Sequence, residues 1–428
     1  MHQIRSIISS VHVRNVAKLL SANVVAQVIG LLVYPILTRM YTPEDFGLMN
    51  LFVSIGSVLV ILATAEYYYA IVLPKDDTDA RGVVHVSLCV LLLTTVLLLL
   101  TLPFAGWIAD VFNTPQLADV YAWMPLMVLL LGSWNVLNYW YIRNKMYTRI
   151  SGYQMSQSVL SAGMKMGFGY AGMLQGGLIY SMVLAPALSL LTSIVLAFKR
   201  CVRVLLHVDV CAMRKAATEY RNFPLYTMPR SLVNVLAGQL PVLLLVPIFG
   251  TEQVGLWGMA LLLGFVPINM LTKAIYQVLY QHVTECVHIS KPIGNMLKRF
   301  VWWSSLVVVP VFAILGYVLP ELTSWLLGDA WYVSGEYVRW MLPWLWLSLL
   351  TGSICFLSDV FMQQKIGLWF EILLAVCRVA GLLLGMWLDS FLWAIAAYAI
   401  GTAVAVAAQL VWLMTLSSKY DRSLEANV

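Results

Sequence analysis

The chain has 428 residues, 61% of them hydrophobic and 11% charged, with a formal net charge of +6 and a mean hydropathy of +0.83. Soluble domains run at about 45–50% apolar and about 25% charged, so these figures exclude a soluble globular protein, whose cores would have too little polar surface to cover them. They also exclude nucleic-acid binding as the reason for the positive charge, because the basic residues sit in short segments between apolar runs, where they set membrane topology.

A helix that crosses the bilayer needs about 20 apolar residues. In chain order the sequence supplies twelve such runs, near 16–38, 46–72, 83–109, 120–141, 150–173, 178–198, 223–247, 254–282, 299–319, 335–357, 366–388 and 391–416. With the N-terminus in the cytosol, twenty basic residues fall in the inner segments and one, Arg39, in an outer loop. That asymmetry predicts cytosolic placement of both termini. The long basic connection at 199–222 splits the spans six and six. The predicted organisation is an N-terminal lobe at 1–198, a cytosolic linker at 199–222, a C-terminal lobe at 223–416 and a cytosolic tail at 417–428.

A short internal repeat supports the division. "YTPEDFGL" (41–48) and "FGTEQVGL" (249–256) lie 208 residues apart and superpose Glu44 on Glu252, Gly47 on Gly255 and Leu48 on Leu256. Each follows the first span of its half. Halves with an even number of spans are expected to be related by a pseudo-twofold along the membrane normal, with a site where they meet.

Of the twenty-six basic residues, five remain, all deeper inside spans: Lys165, Arg230, Lys273, Arg339 and Arg378. A charge at mid-bilayer costs about 2.5–3.5 kcal/mol on insertion scales, so each needs a partner, a cavity or a route to the interface. Arg339 follows Glu336 by one turn and reads as an interfacial ion pair. Arg230 shares a helix face with Thr227 and Asn234. Asn23 and Gln27 form the corresponding face of span 1, and the two stripes read either as water-lining or as helix–helix hydrogen bonding. Lys273 shares a face with Asn269, Tyr276, Gln277 and Tyr280, and the 208-residue shift brings it within one residue of Glu66. A gating ion pair and snorkelling of both side chains are the two readings. Arg378 has Glu371 two turns before it as a possible partner. Lys165 has no nearby acid, and Gly163, Gly167 and Gly169 around it permit close approach of a backbone or a ligand.

The interior is therefore predicted to be basic, with Lys165, Arg230, Lys273 and Arg378 set against Glu66 and Glu371. Such a cavity suits an anionic cargo, phosphate foremost. No nucleotide-binding loop, catalytic motif or metal-ligand spacing is present, so no cofactor, metal or catalytic residue is assigned. Glu66 and Glu371 are the candidates for ion coupling.

The stretch "ILTRMYTPEDFGLMNLFVSIGSVLVILATAEYYYAIVLPK" (36–75) resembles the first two helices of polysaccharide flippases of the multidrug/oligosaccharidyl-lipid/polysaccharide superfamily. "NYWYIRNKMYTRIS" (138–151) resembles their span 4–5 connection. The resemblance implies an all-α polytopic membrane fold of about twelve helices in two six-helix lobes around a V-shaped central cavity lined by spans 1, 2, 7 and 8. It also implies translocation of an undecaprenyl-diphosphate-linked oligosaccharide, such as an O-antigen repeat unit, across the bacterial inner membrane by alternating access. On this reading Lys165, Arg230, Lys273 and Arg378 are headgroup contacts, and Asn23, Gln27, Asn234 and Gln277 meet sugar hydroxyls. Membrane lipids, the polysaccharide polymerase and its chain-length machinery are the implied partners. A drug/cation antiporter of the same superfamily is the alternative, although span 1 carries no acid and the interior is net positive. A membrane-embedded glycan-modifying enzyme is the third reading, and it would call for a catalytic carboxylate or histidine and larger external loops.

Overall fold

The computed structural model describes residues 30–196 and 209–425. Asn23, Gln27, most of the first expected span and the start of the linker lie outside the described residues. The regular structure that is described is helical, and eight helices are long and apolar enough to cross a membrane by length and composition. The chain is a multi-pass membrane protein.

The spans expected from 120 onward each coincide with a helix: Met124–Arg143, Tyr147–Tyr170, Leu174–Leu196, Met228–His288 (two spans joined across a turn at Gly250, φ 83), Gly294–Leu327, Tyr332–Ile354, Gln364–Trp387 and Phe391–Glu425. Two earlier expectations change. The run at 46–72 is a helix over Pro43–Thr64, then Ala65 and Glu66 in left-handed conformations (φ 44 and 55), then a short 3-10 helix over Tyr67–Val72. The run at 83–109 is a helix over Asp77–Leu99 followed by short helices at Leu102–Phe104 and Ala105–Val111. The last helix also runs to Glu425, beyond the expected start of the tail.

By its contacts the chain divides into two compact units, one up to Gly255 and one from Leu256. The first unit thus includes the start of the Met228–His288 helix, which meets Pro43–Thr64.

In the first unit, the conspicuous "YTPEDFGL" motif is a helix start. Thr42 accepts a hydrogen bond from the Asp45 N–H at 3.3 Å, and Asp45 accepts one from the Thr42 N–H at 2.8 Å. Pro43 sits at the first turn, where its missing N–H costs nothing. Gly47 and Gly255, the matched glycines of the repeat, then meet reciprocally. A Cβ on Gly47 would overlap the Thr251 carbonyl, and a Cβ on Gly255 would overlap the Pro43 carbonyl. Pro43 and Thr251 are themselves 208 residues apart, so the repeat makes the same backbone contact in both directions.

From this crossing the two helices run antiparallel. Ser54 Oγ donates to Gln239 Oε1 at 2.8 Å and Ser231 Oγ donates to Glu66 Oε2 at 2.7 Å. Gly47 to Glu66 spans about 28 Å at the helical rise, close to the bilayer's hydrocarbon thickness of about 30 Å.

At the Glu66 end, Arg143 gathers the loop that leads into the next helix. It donates to the carbonyls of Pro74 (2.6 Å), Lys75 (3.3 Å) and Ile71 (3.4 Å) and pairs with Asp77 at 3.0 Å. The linker helix Val210–Glu219, capped by Asp209 on the N–H groups of Cys211 and Ala212, docks beside it. Lys215 pairs with Asp79 at 2.7 Å, and that hydrogen bond raises the lysine's pKa. Tyr67 donates to the Ala217 carbonyl at 3.3 Å.

In the second unit, the N-terminus of Gly294–Leu327 is capped from far along the chain. Asp421 accepts from the N–H groups of Ile293 and Gly294, both at 2.8 Å. A carboxylate there satisfies orphan donors and meets the positive end of the helix dipole. The last two helices pack through Gly381 and Gly385, a small-xxx-small pair whose added Cβ atoms would overlap the backbones of Tyr398 and Ala394.

Candidate functional site

Within the first unit, Lys165 lies on Tyr147–Tyr170, the most polar of the long helices. Ser151, Gln154, Ser158, Ser161 and Lys165 recur at steps of three and four, so they form one stripe along the helix. All five are half-buried. The Oγ of Ser151 and Oε1 of Gln154 are buried without a hydrogen-bond partner among the described residues, as are Asn138 Oδ1 and Tyr153 OH nearby. Native interiors seldom leave such groups unmet, so this part of the unit is distinctly polar for a membrane-spanning helix. Tyr153 stacks flat on Trp134, with centroids 3.3 Å apart and planes at 9°.

The glycines around Lys165 divide by role. Gly169 receives the ring of Tyr41, whose hydroxyl donates to the Lys165 carbonyl at 2.8 Å. Gly163 and Gly167 face open space. Tyr41, part of the helix-start motif, thus anchors the backbone of Lys165 and leaves the ammonium free of any carboxylate partner among the described residues of its unit.

Glu66 occupies the break after Pro43–Thr64 and is 2% exposed. Its donor within the unit is Ser231, one residue from Arg230. Beyond it the rings of Tyr68, Tyr69 and Tyr139 pack with centroids 4.5–5.2 Å apart. Arg230 and Asn234 are exposed on the same helix as Ser231, which keeps their polar stripe off the Glu66–Ser231 contact.

Within the second unit, Lys273 and Gln277 are exposed with Asn269. Tyr276 and Tyr280, expected on that face, stack on each other at 5.8 Å and turn their edges to Phe356. Arg378 makes no ion pair with Glu371, which is exposed. The guanidinium instead lies 5.7 Å from the ring centroid of Trp344 and 5.8 Å from that of Tyr398. Two turns of helix separate the expected partners by about 10 Å of rise. The close packing at Gly381, one turn after Arg378, brings Tyr398 much nearer. Such ring contacts stabilise a cation by about 0.5–2 kcal/mol. They leave its hydrogen-bonding edge uncommitted, and Arg378 Nε is buried without a partner.

Sequence reasoning missed the Ser151–Ser161 stripe and the Arg378 ring cage. The stripe was visible as a polar residue every three to four positions leading to Lys165. The cage joins three different helices and leaves no local signal. Arg339 is a further difference. It makes no ion pair with Glu336 but donates from Nε to the Gly316 carbonyl at 2.6 Å.

A family model described as "Polysaccharide biosynthesis protein" matches residues 36–336. Among solved structures, the chain is similar to "Lipid II flippase MurJ, inward closed conformation", with a TM-score of 0.66 at 11% identity over 95% of this chain and 90% of that one. It is also similar to a multidrug resistance MATE family transporter of the MOP superfamily in an outward-facing conformation, with a TM-score of 0.53 at 14% identity over 93% and 94% of the two chains. These likenesses give the fold, the all-α architecture of twelve helices in two lobes. No curated protein sequence matches the chain. The family model's match, which covers most of the chain's length, identifies it as a member of the polysaccharide biosynthesis protein family.

Proposed function

We propose that this protein is a flippase. It moves an undecaprenyl-diphosphate-linked oligosaccharide, an O-antigen or similar surface-polysaccharide repeat unit, from the cytoplasmic to the periplasmic leaflet of the bacterial inner membrane by alternating access, with both termini cytosolic. The observation that carries this reading is the polar stripe that ends at Lys165: Ser151 Oγ and Gln154 Oε1 are buried without a partner among the described residues, and the stripe leads to an ammonium with no carboxylate partner among the described residues of its unit. Sugars match the first part and a diphosphate the second. Arg230, Lys273 and Arg378 contribute further headgroup contacts, and Asn23, Gln27, Asn234 and Gln277 meet hydroxyls. The family match supports a polysaccharide pathway and the fold supports a transporter, with the polymerase and chain-length machinery as expected partners.

The chemistry follows from the charges. A diphosphate offers the half-buried Lys165 and Arg378 opposite charge as well as hydrogen-bond acceptors, whereas an uncharged sugar offers acceptors alone. The prenyl tail stays in lipid, so the protein handles only the polar head. Glu66, and secondarily Glu371, is the candidate for coupling to an ion gradient.

A second reading, a drug/cation antiporter, is favoured by one observation: Glu66 is a buried carboxylate whose side-chain donor among the described residues of its unit is the Ser231 hydroxyl. Complementation of a strain lacking its own flippase separates the two. Restoration of surface polysaccharide, lost on Lys165→Ala, supports the flippase. Resistance to cationic drugs without restored polysaccharide supports the antiporter.

A further inference from the structure

In the second unit, the helices Gly294–Leu327 and Tyr332–Ile354 part to leave a groove of about 430 Å³, the size of a ligand pocket. Phe312, Ala313, Leu342 and Pro343 make its walls, Arg339 lies at one end, and Trp346 contributes an indole. Both helices are long and apolar enough to span a membrane, and Val311, Ile314 and Val318 on the flank of the groove are exposed. This face meets lipid.

Arg339 is exposed on this face; among the described residues of its unit it pairs with no carboxylate, and Glu336, one turn away, does not pair with it. One of its five N–H donors is fixed on the Gly316 carbonyl, which holds the guanidinium over the groove while the remaining donors stay available. Trp346 Nε1 is buried without a partner among the described residues. An apolar trough with a tethered guanidinium at one end has the chemistry of an amphiphile site: the trough fits a hydrocarbon chain, and the guanidinium fits an anionic head.

We infer that this groove holds one anionic phospholipid of the surrounding bilayer, with an acyl chain between the helices and its phosphate on Arg339. A zwitterionic lipid supplies the chain but neutralises its own phosphate. A free phosphate has no chain to use the trough. The inference does not depend on what the protein transports.

Native mass spectrometry of the whole chain, with phosphatidylglycerol or phosphatidylcholine added in equal amounts, tests it. The wild type is expected to retain one more phosphatidylglycerol than phosphatidylcholine. Arg339→Gln should lose that preference by about fivefold, the effect of one basic residue on an anionic lipid, and Arg339→Lys should keep most of it. Ala313→Trp fills the trough without touching the charge and should remove the same adduct. A wild type without the preference, or an Arg339→Gln variant that retains it, overturns the assignment. Displacement of phosphatidylglycerol by an equal amount of undecaprenyl phosphate also overturns it, because the groove would then belong to a prenyl chain.

Discussion

Gly47 and Gly255 give the most direct test of how the repeat organises the first unit. Each lies where the other helix's backbone would occupy the space of a Cβ, against Thr251 and Pro43 respectively. The obstacle is a carbonyl in regular structure, so it cannot rotate away as a side chain would, and an alanine must push the helices apart. Overpacking a close-fitted contact costs about 1–3 kcal/mol, and the upper part of that range applies where backbone meets backbone. At about 2–4 °C per kcal/mol for a unit of 150–250 residues, Gly47→Ala and Gly255→Ala should each lower the unfolding midpoint in detergent by about 4–12 °C. Tryptophan fluorescence reports it well, since Trp257 is fully buried two residues beyond Gly255. Gly152 is the control, because it is helical with open space around it. There alanine should be neutral or stabilising by about 0.5–1 kcal/mol. The double variant should lose less than the sum of the singles, because the first alanine already opens the crossing. A Gly47→Ala midpoint equal to that of Gly152→Ala would refute the reasoning.

Other expectations follow from the same geometry. Removing the Ser231 hydroxyl leaves Glu66 buried without its donor, so Ser231→Ala should destabilise by about 1.5–3 kcal/mol, the range for a hydrogen bond to a charged group. The same change in a Glu66→Gln background should cost less, as a thermal-shift double-mutant cycle would reveal. Arg143→Ala releases three carbonyls and Asp77, and by the same range should cost at least about 2 kcal/mol. Arg143→Lys should recover little, having no planar fork; limited proteolysis between residues 71 and 77 checks both. Arg378→Lys should export glycan less well than wild type but better than Arg378→Ala, since lysine keeps the charge and loses much of the ring stacking. Equal export by both variants at matched expression would remove Arg378 from the site.

Much of the architecture was legible because lipid imposes one rule on every span: about twenty apolar residues, bounded by charge. That rule placed a helix at each expected span from Met124 onward, with ends that differ by up to nine residues, as at Glu425. It failed at Ala65–Glu66, where the left-handed turn carries neither glycine nor proline and the apolar run continues across it. The "PEDFG" motif was read as a marker and proved to be a helix cap followed by a glycine crossing. Both were visible in principle from the Thr42–Asp45 spacing and from the 208-residue offset that also pairs Pro43 with Thr251. The candidate site was legible in part. Lys165 stood out because it had no acid beside it, and the structure leaves it without one in its unit. The assumption that charges pair along their own helix failed for Arg378 and Arg339. One found aromatic rings and the other a carbonyl, each supplied by a different helix. Sequence neighbours are a poor guide to partners when packing brings other helices closer than two turns of one's own.

The central claim, that Lys165 and its polar stripe receive a diphosphate-linked glycan, is tested most directly in proteoliposomes. Translocation of an undecaprenyl-diphosphate-linked oligosaccharide is followed by its exposure to an impermeant glycan-oxidising reagent. The account predicts transport by the wild type and a fall of about tenfold or more for Lys165→Ala, from the loss of one charge-assisted contact of about 1.5–3 kcal/mol, with Lys165→Arg largely active. Undiminished transport by a well-folded Lys165→Ala protein would contradict it.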